Sequence, residues 1–237
     1  MSRRRLLAVL VVGALAVPGL TACRELPGVA AYVGSEQLTN AQVEKIVDEF
    51  PAAIREKNSG DIRQFVVSSF VSRELARALA KEKGITVPQP DLSRFAGLAD
   101  QLRLGTDSRF ITLDAESQAA LAAIRTLGKP QAPTDADKQE AFQQLLNEQF
   151  VQPGSFDAVK SQIDSPEMRA ALGLRPVLSD ALKRYQVSIN PRYQPLGIPV
   201  SFSLGTTHSG QDVSASVNLP LTPAGTPAVR DLPSASP

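Results

Sequence analysis

Few side chains in this 237-residue chain are chemically distinctive: it holds one cysteine, one histidine, two methionines and no tryptophan. The lone thiol, Cys23, closes the run Leu20-Thr21-Ala22-Cys23. Upstream lie Arg3, Arg4 and Arg5, then the apolar stretch Leu6 to Val17, then Pro18 and Gly19, which end any helix before the small residues. A basic start, a short apolar run and a small-residue site are the marks of an export leader. Such a run spans only about 18 Å as a helix, against about 30 Å of hydrocarbon, so it does not read as a permanent membrane span. A single thiol in an exported chain needs a partner or a use. The sole His208 stands beside Ser209 in a Pro/Ser/Thr-rich stretch, with no G-x-S-x-G elbow and no second histidine to serve another serine. Gly128-Lys129-Pro130 lacks the upstream glycine and following hydroxyl of a phosphate loop. Asp135 and Asp137 lack the further oxygen ligands and the glycine of a calcium loop. The expectation is a non-enzyme with no catalytic residue, no cofactor and no metal site.

The ending Leu20-x-Ala22-Cys23 resembles the bacterial lipobox. That resemblance implies that residues 1–22 are a lipoprotein signal peptide, with Leu20 and Ala22 recognised by the lipoprotein signal peptidase. It implies that the Cys23 thiol receives a diacylglyceryl group and that Cys23 becomes the first residue of the mature protein. The expected location is the cell membrane, lipid-anchored on its extracytoplasmic face. Each buried methylene contributes about 0.8 kcal/mol and one acyl chain holds a protein only marginally, so two or three chains on one residue suit stable attachment.

Removing the leader leaves 215 residues and takes away three of the 25 basic residues and none of the 24 acidic ones, so the mature chain has a net charge of −2. A near-neutral chain without a basic patch offers no electrostatic footing for nucleic acid. With no other cysteine the fold has neither disulfide nor thiolate-held metal, and its apolar core must hold it together.

The elements that would position any site are mostly helical. Residues 23–31 read as a lipidated tether and 32–193 as a helical body with short β-prone segments, Tyr32-Val33 and Val187-x-Ile189, at its ends. Thr39-Asn40-Ala41-Gln42 is a capping box ahead of an apolar stripe, Val43, Ile46, Val47, Phe50 and Ile54. A second helix is expected over about Asp61–Lys83, apolar nearly all round in its first half and stopped by Gly84. Two more are expected over Leu92–Leu104 and over Ala115–Leu127, the latter capped by Asp114, as a hairpin projecting between proline-rich joints. Thr134 should cap a fifth helix with Asp135 and Asp137 in its first turn, and Ser165-Pro166-Glu167 should start another, broken or kinked at Arg175-Pro176. From Gln194 to Pro237 the Pro/Ser/Thr/Gly-rich composition predicts a mostly disordered tail, with a weak strand at Val200-Phe202-Leu204.

The segment Ala30 to Val43 resembles the opening of SurA N-terminal, chaperone-type domains, "A-x-V-N-G-x-x-I-T-x-x-x-V", with Gly34-Ser35 where the family more often has Asn-Gly. Val187-Ser188-Ile189-Asn190-Pro191-Arg192-Tyr193 resembles the "V-x-V-N-P-R-Y/F-G" ending of SurA-like lipoproteins of high-GC Gram-positive bacteria, departing at Gln194, where glycine is usual. The resemblance implies a mainly α chaperone body closed by pairing of its first and last strands. Such chaperones often carry a parvulin-type prolyl isomerase domain, and nothing in this chain resembles one. Arg192 and Tyr193 read as an arginine stem packed on an aromatic rather than as a binding site. The function so implied is an ATP-independent holdase whose partners are unfolded or newly exported proteins. The alternative is a non-catalytic envelope adaptor that binds one dedicated partner through the same helices.

Overall fold

The computed structural model describes residues 28–147, 149–194, 196–206 and 212–220. Leu20, Ala22, Cys23, the His208-Ser209 pair and residues 221–237 lie outside the described residues. The fold is mainly α-helical, with a small antiparallel pairing between strands near the two ends of the helical body.

Strand β1 (Val29–Val33) turns back into β2 (Glu36–Thr39) through Gly34-Ser35, with Val33 opposite Glu36. Gly34 sits at φ +60° and Ser35 does not share that region, as a two-residue turn with glycine first requires. The strand starts at Val29, so the tether ends sooner than expected, and Ala30 and Ala31 are buried. The far end of the body returns as β3 (Ser188–Ile189) on the other side of β1, Ala31 opposite Ile189 and Tyr32 opposite Ser188. The Asn190 amide donates to Ala30 O at 2.9 Å, and Pro191, having no amide, follows where the ladder stops.

Helix α1 (Asn40–Val47) carries the expected capping box: Gln42 N–H donates to Thr39 Oγ1 at 3.2 Å and Thr39 N–H donates to Gln42 Oε1 at 2.7 Å. Pro51 then separates it from α2 (Ala52–Glu82), a single helix of 31 residues. The expected start near Asp61 is therefore corrected by nine residues, and Ile54 belongs to α2 rather than to the stripe of α1. Gly60 lies inside this helix; a glycine there costs about 1 kcal/mol relative to alanine. Burial of Ile62, Val66, Val67, Val71, Leu75 and Leu79 along the same helix outweighs that.

A short 3-10 turn, Leu92–Phe95, leads into α3 (Ala96–Leu102), and α4 (Arg109–Ala123) begins six residues before the expected start. Its cap is Ser108, whose hydroxyl accepts the Ile111 amide at 3.3 Å, while the Glu49 carboxylate accepts the Arg109 amide at 2.9 Å. Asp114 is thus not a cap but an interior, buried residue. Nor does this region project: α4 lies along α2, with the Phe110 ring 4.8 Å from Phe50 and 5.0 Å from Phe65.

Helix α5 (Asp135–Asn147) is capped by Thr134 as expected, Asp137 N–H donating to its hydroxyl at 3.2 Å. Helix α6 (Phe156–Ile163), which the sequence reading did not assign, sets Phe156 edge-on to Phe142 at 5.4 Å. Helix α7 (Pro166–Arg184) starts at the Ser165 cap and continues past Pro176, correcting the expected break. The proline removes one helix bond, but Leu172, Leu174, Leu178 and Ala181 are buried on both sides of it, so packing holds the helix together.

The largest correction concerns the segment after Tyr193. Strands β4 (Gly197–Thr206) and β5 (Asp212–Pro220) form an antiparallel hairpin rather than a disordered tail, and the expected strand at Val200-Phe202-Leu204 is part of β4. Ile198, Val200 and Phe202 alternate with Val217, Leu219 and Ala215 on one buried face, which supplies the apolar burial that the composition alone concealed.

Candidate functional site

Three arrangements meet the terms of a candidate site. The first is the clasp that joins the chain ends. Tyr193 is buried, and its hydroxyl donates to Asn40 Oδ1 at 2.8 Å, at the first turn of α1. Asn190 Nδ2 donates to Val29 O at 3.1 Å, and Asn190 Oδ1 accepts the Arg192 amide at 3.2 Å. The Arg192 guanidinium stands 5.3 Å from the Tyr193 ring centroid. The Asn190-Pro191-Arg192-Tyr193 run therefore ties β1, α1 and β3 together, which is a packing role.

The second is a charged cleft of about 270 Å³ between α1 and the first turns of α2, lined in part by Glu44, Asp48, Arg55 and Arg63. Its charges are paired with one another. Arg63 grips Glu44 through Nε and Nη2, both at 2.7 Å, and this bond holds the Glu44 carboxyl below its ordinary range against the opposing pull of burial. Arg55 meets Asp48 at 2.8 Å. These two pairs fasten α1 to α2.

The third is the groove that holds the β4–β5 hairpin, built by α2, α5 and α7 with a contribution from α4. Its floor is apolar, and its rim carries side chains that bind the main chain of the hairpin. On the β5 edge the Gln144 amide brackets Ser216: Nε2 donates to Ser216 O at 2.9 Å and Oε1 accepts Ser216 N–H at 2.8 Å. This is the bonding a third strand would supply. One turn earlier, Glu140 Oε1 accepts the Asn218 amide at 3.2 Å, and burial raises the Glu140 carboxyl above its ordinary value despite that bond. On the β4 edge Arg125 Nη2 donates to Ser201 O at 2.6 Å, and the buried Ser68 hydroxyl donates to Gly197 O. Pro199 faces Asn218 at a position whose nitrogen points out of the pair, so the edge loses a donor there.

None of Ser68, Arg125, Glu140 and Gln144 was singled out from the sequence. The available signal was slight: Ser68 and Ser69 interrupt an otherwise apolar run, and Glu140 and Gln144 are one helical turn apart beside the stripe Phe142, Leu145. What this groove can do is bind extended chain non-covalently through backbone groups. Among the described residues no group of three or more His, Cys, Asp or Glu is placed to hold a metal ion, and no helix is long and apolar enough to cross a membrane. No protein-family model, no curated protein and no solved structure matches the chain.

Proposed function

We propose that this chain is a membrane-anchored extracytoplasmic lipoprotein that acts as an ATP-independent, SurA-like holdase for exported proteins. The observation that carries the reading is the groove: helices grip an extended, alternately apolar segment by its backbone, through Gln144, Glu140, Arg125 and Ser68. Recognition of main-chain groups over an apolar floor makes little demand on sequence, which is what a binder of many unfolded clients needs. The closure of β1 on β3, which the SurA resemblance led us to expect, supports the family reading. The lipobox-like run Leu20-Thr21-Ala22-Cys23 supports an anchor on Cys23. Only Arg24 to Pro27 separate that residue from Gly28, where the described body begins. Five residue steps reach at most about 18 Å, so the body works beside the bilayer from which clients emerge.

Photo-crosslinking in intact cells tests this, with the native chain compared with Cys23→Ser. The native protein is expected to partition with membranes and to capture many unrelated exported proteins. The Cys23→Ser variant should lose its acyl label and leave the detergent phase. Capture of one stoichiometric partner would instead support the adaptor, and an acyl label retained by Cys23→Ser would reject the anchor.

A further inference from the structure

We propose that the β4–β5 hairpin is an exchangeable occupant of a strand-binding groove, and that the groove's clients are extended segments alternating apolar with small residues. This deepens the holdase reading and rests on it.

Three observations point to exchange. First, the rim side chains reach main-chain amides or carbonyls of the hairpin at Gly197, Ser201, Ser216 and Asn218, to which the Ser216 hydroxyl adds one side-chain bond, donated to Gln144 Oε1 at 3.0 Å. Another segment in the same extended conformation presents the same atoms whatever its sequence. Second, the hairpin comes after the clasp. The pairing of β3 with β1 and the Tyr193–Asn40 bond close the helical body before the chain enters β4, so departure of the hairpin breaks neither of them and uncovers the apolar floor that a client would cover. No disulfide fixes it, since Cys23 is the only cysteine of the chain. Third, the hairpin's own pattern is generic. Ile198, Val200 and Phe202 face the groove, while Pro199, Ser201 and Ser203 alternate with them, the apolar/small alternation of any half-buried strand. The hairpin thereby defines the partner: an unfolded segment of the same alternation, laid antiparallel or as a hairpin, with Gln144 completing its free edge.

The test uses the chain without its leader and with Cys23→Ser, which keeps Gln144 and serves as the unjoined protein, beside a second form that adds Gln144→Cys and Ser216→Cys, measured before and after a short bifunctional thiol reagent joins the two cysteines. The probe is a fluorescent synthetic peptide of residues 196–220, followed by anisotropy. Saturable binding to the unjoined protein, weakened by at least about tenfold once the two cysteines are joined, is the expected result. A Phe202→Ser variant in the Gln144/Ser216 wild-type background should bind the peptide more tightly, because its own hairpin competes less well. A peptide of equal composition with the alternation scrambled should bind more weakly than the native one. No binding to either the unjoined or the Phe202→Ser protein, or equal binding to joined and unjoined protein, overturns the proposal. Peptide exchange without protection of unfolded proteins from aggregation leaves the strand-binding groove standing and removes the holdase reading.

Discussion

Two buried carboxylates, Asp114 and Asp137, are shifted in opposite directions. Burial pushes the Asp114 carboxyl up to about 6 from an ordinary 3.8, against a weaker opposing bond from Gln118 Nε2 at 3.0 Å. Asp137 is shifted the other way. Burial pulls it upward, but the Arg175 guanidinium and the Thr134 hydroxyl and amide together hold it below its usual value. Because the folded state binds the Asp114 proton more tightly, the stability it contributes is complete below its unfolded value of 3.8 and is lost as pH rises through about 6. Asp137 contributes above its unfolded value and loses that contribution as pH falls. Replacing Asp114→Asn removes the charge that burial opposes, so the variant should gain about 2–3 kcal/mol over the parent near neutral pH and nothing in acid, where the parent carboxyl is already protonated. Denaturant unfolding under both conditions checks this, and an equal effect in both would mean that Asp114 carries no shifted proton. The same residue shows where local sequence misleads. Thr39, Thr134 and Ser165 were readable as caps because each hydroxyl precedes a helical stripe at the right spacing. Asp114 satisfies the same local pattern, but Ser108 and the distant Glu49 had already started the helix.

At the scale of elements, packing overrode the usual breakers at Gly60 and Pro176, and this is why two helices run longer than their sequences suggested. Glycine does its work elsewhere. Gly128 and Gly173 bring two backbones together, and a Cβ on Gly173 would stand 2.5 Å from Lys129 O. Gly173→Ala should therefore cost about 1–3 kcal/mol by forcing α7 away from the Gly128-Lys129 segment; a melting temperature equal to the parent's would contradict the close approach. The strand pairing offers a sharper test. Since Asn190 N–H bonds Ala30 O, the alternation of an antiparallel ladder puts Ser188 and Tyr32 in a hydrogen-bonded pair and leaves Ile189 in a non-bonded one. Ser188→Pro should destabilise the fold by about 1–3 kcal/mol while Ile189→Pro, whose amide points away from β1, should cost less. The reverse order in urea unfolding would show the register to be different. The terminal strands were legible from β-prone residues flanking a helical run, and Asn190-Pro191 marked where they end. Of the hairpin only the alternation Val200-Phe202-Leu204 was legible; its serines, glycines and prolines face outward or sit at the edge, and averaging them with the buried face dilutes the rest of the pattern.

The whole molecule joins three parts: an anchor expected on Cys23, a helical body clasped by its terminal strands, and a groove that holds the β4–β5 hairpin by its backbone. One contiguous apolar cluster reaches from Ala30 to Leu219 and links the clasp to the groove. Under the proposed holdase reading, the chain's near-neutral charge would give clients no electrostatic steering, and selection would rest on apolar alternation. The most direct measurement is light scattering from a chemically unfolded exported protein diluted into buffer, with the leaderless Cys23→Ser chain present at stoichiometric excess. Scattering should fall as the ratio rises, without added nucleotide and without acceleration of proline-limited refolding. Undiminished scattering at every ratio would contradict it.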